Sequence, residues 1–112
     1  MGAGEGNAVW RSALMELVFR PEAQQELLQA QAWYEDRSPG LGFEFARAVD
    51  VAVERILRTP LTFPQLEGQF HHLATRKFPY SIIYQPTETT VVVVSCFHHK
   101  RKPGSWLRSL VA

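Results

Sequence analysis

The stretch "VVVVSCFH", Val91 to His98, is apolar at both of the alternating positions of an extended chain. Successive side chains of a strand point to opposite faces, so a strand with water on one side alternates apolar and polar residues. This stretch does not alternate, and it therefore belongs in the middle of a sheet that is covered on both sides. His98, His99, Lys100, Arg101 and Lys102 then follow without a break. A chain like this must bury a central strand and let its end run into water as a basic tip.

The remaining segments supply the cover. "MELVFRP" alternates loosely and stops at Pro21, which predicts a short first strand from Glu16 to Arg20. Pro21 suits the first position of a helix, where its missing N–H costs nothing. "EAQQELLQAQAWYEDR" follows, with Ala23, Leu27, Ala30 and Tyr34 on one helical face. Ser38-Pro39-Gly40 breaks it. A second helix is predicted from Leu41 to Arg58, with a stripe of Phe45, Val49, Ala52 and Ile56 flanked by Ala46, Val53 and Leu57. Thr59-Pro60 ends it. Two helices joined by a tight turn make an antiparallel hairpin.

From Pro64 the period changes to that of strands. "QFHHLATRKF" reads as one, with His71 and Leu73 expected on opposite faces. "YSIIYQ" reads as another, with Tyr80, Ile82 and Tyr84 on one face and Ser81 and Ile83 on the other. "PTETT" is a loop, and Pro103 opens a last turn or short helix carrying Trp106, Leu107 and Leu110. The expected architecture is a two-layer α+β domain: an N-terminal strand, then an antiparallel helical hairpin packed on a three- to four-stranded antiparallel sheet. Residues 15–112 form this single domain. Residues 1–14 add no recognisable element and are expected to be a disordered tail or an N-terminal extension ahead of a start at Met15.

At 112 residues the chain can hold one core, and its 46% hydrophobic and 21% charged residues are ordinary for a globular protein. No apolar stretch is long enough to span a bilayer, and the start lacks the pattern of a secretory signal. The single cysteine, Cys96, has no intramolecular partner and fits a reducing compartment, so the expected location is the cytoplasm. The net charge of +1 is unevenly spread. Residues 1–70 hold six Arg against ten Asp/Glu, or −4, while residues 71–112 hold six Lys/Arg against Glu88 alone, or +5. Such asymmetry implies a basic surface for an acidic partner.

Four site chemistries can be weighed on the residues. His71-His72 and His98-His99 are adjacent pairs whose members face opposite ways in a strand, so two imidazoles from different strands could converge. No Cys, Asp or Glu lies near in sequence to complete a tetrahedral set, and neither a metal nor a cofactor is expected. Cys96 sits in a core strand, where a thiol is protonated and inert. Glu35-Asp36 and Glu54 lie on the helical hairpin as solvated carboxylates. The basic cluster carries more. Arg76 and Lys77 precede one strand and Lys100, Arg101 and Lys102 follow another, so antiparallel pairing would gather them at one edge with His98 or His99 between. Arginine grips phosphate or carboxylate with two hydrogen bonds, and histidine transfers protons near neutral pH. A solvated basic rim has the same composition.

Three stretches, "LVFRPEAQQELLQAQAWYEDRSPGLGFEFARAV", "RKFPYSIIYQ" and "VVVVSCFHHKRKPGSW", resemble the RelE/ParE superfamily, the toxins of type II toxin–antitoxin modules. The resemblance spans Met15 to Leu110, and "WYEDRSPGLGFEF" and "FPYSIIY" are most similar to the ParE branch, whose members inhibit DNA gyrase. Ribonuclease members carry an arginine where this chain has Ser81, and lysines where it has Leu73 and Ala74. Arg101 matches a basic residue common near the end of the last strand, and Trp106 stands nearest to a C-terminal tyrosine or histidine of the ribonucleases.

The resemblance thus implies a plasmid-stabilization type of toxin that inhibits gyrase by binding, without catalysis. A cognate antitoxin would hold it inactive, in a hetero-oligomer or beside a homodimer. Arg76, Lys77, Lys100, Arg101, Lys102 and Trp106 would meet the target, Trp106 as an aromatic anchor. The alternatives are a ribosome-dependent mRNA endonuclease, with His98, His99, Arg76 and Arg101 as its catalytic set, and a degenerate member that poisons nothing.

Overall fold

The computed structural model describes residues 9–11, 15–107 and 110. The chain forms β1 (Val9–Arg11), β2 (Glu16–Phe19), α1 (Pro21–Arg37), α2 (Leu41–Arg58), β3 (His71–Ala74), β4 (Tyr80–Pro86), β5 (Thr90–His98) and a 3₁₀ turn, Ser105–Leu107. The strands make one sheet in the order β1-β2-β5-β4-β3. β3, β4 and β5 are antiparallel neighbours, but β2 runs parallel to β5, so the sheet is mixed rather than wholly antiparallel. A parallel pair needs a long crossover, and the helical hairpin begins that connection.

Residues 9–11 also depart from the expectation that nothing before Met15 forms an element. They pair antiparallel with β2, Val9 opposite Val18 and Arg11 opposite Glu16. Three residues are too few for a period of two to show in a sequence. The other residues of the 1–14 segment lie outside those described.

The hairpin covers one face of the sheet, here the helix face. Phe45, Val49, Ala52 and Ile56 are all buried there, as their spacing predicts, with Val53 and Leu57. α1 turns its two buried alanines, Ala23 and Ala30, toward the sheet, flanked by half-buried Leu27 and Tyr34. The opposite, rear face is closed by a smaller cluster in which Ile83, Val94, Phe97 and Trp106 pack with Phe70 and Leu107. β5 is therefore covered on both sides. Ile82 and Tyr84 join the helix-face core and Ile83 the rear cluster, as the alternation of β4 requires.

His71 and Leu73, in contrast, share the helix face. His71 stacks on Tyr84 with ring centroids 5.6 Å apart, and Leu73 packs against the same core. Residues two apart in a strand cannot do otherwise.

A bulge decides where the end of β5 points. Ile83 pairs with Ser95 but Tyr84 pairs with Val93, leaving Val94 as the extra residue. Val91 and Val93 face the helices before the bulge, and Cys96 does so after it. The phase shift sends Phe97 to the rear and turns His98 back toward the helix side, where it meets Tyr80.

The hairpin turn is held by Glu35, which is more than a solvated carboxylate. Its oxygens accept the Gly40 N–H at 3.0 and 3.1 Å and the Gly42 N–H at 3.0 Å, supplying acceptors at the start of α2. Gly40 adopts φ 89°, the left-handed region that glycine enters freely. At Gly42 the helices touch: an added Cβ would lie 2.7 Å from the Gln31 carbonyl oxygen and 2.9 Å from Glu35 Cβ. Alanine in a helix interior normally gains about 1 kcal/mol over glycine. Here Gly42→Ala must push α2 off α1, and urea unfolding should show a net loss of about 2 kcal/mol.

Candidate functional site at the basic end of the sheet

Tyr80 opens β4 opposite His98 at the end of β5, and the His99 N–H donates to the Pro79 carbonyl at 2.8 Å. The start of one strand thus lies beside the end of the other, as antiparallel pairing implied. Arg76 and Lys77 are exposed in the β3–β4 connection, and Lys100, Arg101 and Lys102 are exposed after β5. Lys77 holds φ 70°, a strained conformation for a residue with a Cβ. Arg108 lies outside the described residues.

Between this end of the sheet and α1 runs a groove of about 580 Å³, lined by Glu26, Trp33, Tyr34, Tyr80, His98, Lys100 and Arg101 among others. Its aromatic wall is anchored from below. Tyr34, Phe45, Phe78 and Tyr80 form a ring cluster with centroids 4.9 to 6.3 Å apart, mostly edge to face. Trp33 is 52% exposed, with the Arg37 guanidinium 4.1 Å from its ring.

Glu26 was not singled out from the sequence, yet it organises the groove. β2 ends at Phe19 opposite Val93, and among the described residues no strand continues along that edge of β5 beyond it. Glu26 Oε1 takes over, accepting the Cys96 N–H at 2.9 Å and the Ser95 hydroxyl at 2.9 Å. Its Oε2 accepts from Arg101 Nη1 at 2.7 Å, and that guanidinium lies 4.9 Å over the Phe97 ring. A signal existed: Glu26 falls three residues after Ala23 and four before Ala30, on the edge of the stripe that faces the sheet.

The histidines are divided between faces. His98 Nδ1 accepts the Lys100 N–H at 2.9 Å, which fixes the turn and places any neutral proton on Nε2. Burial, then Lys100 and His99, push its pKa down. His99 faces the rear, its Nε2 2.8 Å from Ser81 Oγ. His71 Nδ1 lies 2.7 Å from the Phe63 carbonyl, to which it donates. Among the described residues no three His, Cys, Asp or Glu come together as a metal site. Cys96 is buried, and burial together with Glu26 pushes its thiol up to about 12, so it is protonated and inert at neutral pH.

Trp106 does not stand out as an anchor. It is 5% exposed and packs edge-on against Phe70 with centroids 5.0 Å apart. The apolar rear of β5 needs cover, and the indole supplies it.

Against known proteins, a family model described as "ParE toxin of type II toxin-antitoxin system, parDE" matches residues 17–103. The chain belongs to the ParE toxin family. That match runs from β2 to the turn beyond β5 and includes the whole groove. A solved structure described as "Chromosomal ParDE TA system from P. aeruginosa" superposes with a TM-score of 0.55 at 15% identity, covering 78% of this chain and 98% of that one. At that identity the likeness speaks for the fold. No curated protein matches the chain. Among the described residues, no helix is long and apolar enough to cross a membrane.

Proposed function

We propose that this ParE family member is the toxin of a type II module, that it acts in the cytoplasm by binding and stalling DNA gyrase, and that a cognate antitoxin neutralises it. The observation that carries the choice of binding over cutting is the state of the would-be catalytic groups. Ser81 occupies the place of the ribonuclease arginine; it is 7% exposed and its hydroxyl is engaged with His99. His98 and His99 point to opposite faces, and the Nδ1 of His98 is committed to a backbone N–H. Acid and base must reach one substrate atom pair, and these two do not converge. What the sheet end offers instead is exposed positive charge beside an aromatic groove, a combination suited to an acidic partner.

The test is supercoiling of relaxed plasmid by gyrase with the full-length chain. Inhibition with trapped cleaved DNA, reversed by antitoxin, is the expected result. Lys100→Glu with Lys102→Glu should weaken inhibition at least roughly tenfold, about 1.4 kcal/mol of binding. Both positions are exposed, so the double variant should unfold at the wild-type denaturant concentration. Unimpaired gyrase at stoichiometric excess would remove this reading. Ribosome-dependent mRNA cleavage would then identify a nuclease, and neither activity a non-toxic member.

A further inference from the structure

The rear face carries a second, smaller cavity of about 290 Å³. Three elements meet there. β3 brings His72, which sits opposite Ile83, and β4 brings Ser81, which sits opposite Phe97. The turn after β5 brings His99 and Arg101. The Ser81 hydroxyl lies 2.8 Å from His99 Nε2 and so aims that imidazole across the cavity. Ile83, Phe97 and Trp106 form an apolar floor.

The charge around this cavity is of one sign. Its titratable or charged lining groups are His72, His99 and Arg101; β4 contributes only the uncharged Ser81 and Ile83, and the segment from Pro103 to Trp106 contributes none. His71 stands next to His72, and His98 next to His99; both pairs repel on protonation. Among the described residues no Asp or Glu lines the cavity. The carboxylate that holds Arg101, Glu26, takes Nη1 alone. A guanidinium has five N–H donors, so most of the fork is left for another acceptor.

We propose that this cavity binds a phosphate group, with protonated His72 and His99, the Ser81 hydroxyl and Arg101 as its donors. A cation is disfavoured by Arg101 at the rim and by the lack of a third ligand among the described residues. The volume lies just below the ~300–1,000 Å³ typical of ligand pockets, which suits a phosphate with few attached atoms. The site is independent of the gyrase reading, because a non-toxic member would keep it.

Burial, then His99 and His71, hold the His72 pKa below its ordinary value. Imidazoles gain charge as pH falls, so acidification adds positive charge to that of Arg101. Anion affinity must rise as pH falls, and by linkage a bound anion must raise the histidine pKa values.

The experiment is an NMR titration of the four histidines in the full chain, with inorganic phosphate and with sulfate, which keeps both charges across the range. Added anion should raise the pKa of His72 and His99 and should not raise that of His98, which lies on the other face and is repelled by a charged His99. Sulfate should bind at least tenfold more tightly at pH 5.5 than at 7.5, and His72→Gln or His99→Gln should each remove most of that gain. The exposed His99 variant keeps the test valid if the His72 variant fails to fold. Thymidine monophosphate and a short oligothymidine identify the source. Shifts from the former support a free phosphoryl ligand, and shifts from the latter alone support a nucleic-acid backbone. Equal shifts at His98, or none at His72 and His99, would overturn the site.

Discussion

Replacing Glu26 by alanine should cost about 3 kcal/mol of stability, because it removes one carboxylate from three donors at once. The Cys96 N–H and the Ser95 hydroxyl both point at Oε1, in a strand where Ser95 and Cys96 are each 1% exposed. A buried donor left without an acceptor costs about 1–3 kcal/mol, whereas the partly exposed ion pair to Arg101 adds at most about 1. The two contributions separate in Glu26→Gln. The amide oxygen can still accept from β5, so that variant should lose about 1 kcal/mol or less. Urea unfolding of both variants decides the matter. Equal losses would mean that the ion pair, not the backbone acceptor, is what Glu26 provides.

Glu26 also illustrates what could be read from the sequence and what could not. The helices, their break at Ser38-Pro39-Gly40, and the faces of "YSIIYQ" follow from local period and local breakers, and they appear where expected. The parallel pairing of β2 with β5 is set by residues more than seventy apart in the chain, and no local pattern encodes it. Neither does the bulge at Val94, since four successive valines look alike in any register. Glu26 matters because β2 stops at Phe19, opposite Val93, while β5 continues, a mismatch in strand length that only the pairing reveals. The site was legible to the same extent. Antiparallel neighbours placed the two basic clusters at one end of the sheet. His72 went unassigned, because the role proposed for it depends on β3 lying beside β4, which carries Ser81 to His99.

Trp106→Ala should be the other severe change, costing about 3–4 kcal/mol as a buried indole leaves a hole over β5. Among the described residues the rear cluster has only four buried members, so losing its largest side chain exposes Ile83, Val94 and Phe97 together. Loss of toxicity in that variant would follow from unfolding and would say nothing about the target. Trp106→Phe is the informative partner. A phenyl ring keeps the edge contact with Phe70 and most of the apolar area, so it should cost about 1–2 kcal/mol and leave gyrase inhibition near wild type. A Phe variant that folds but no longer inhibits would return Trp106 to the target-facing surface, which would require the C-terminal turn to open on binding. A Phe variant that inhibits normally would leave recognition to the exposed lysines and arginines around the groove.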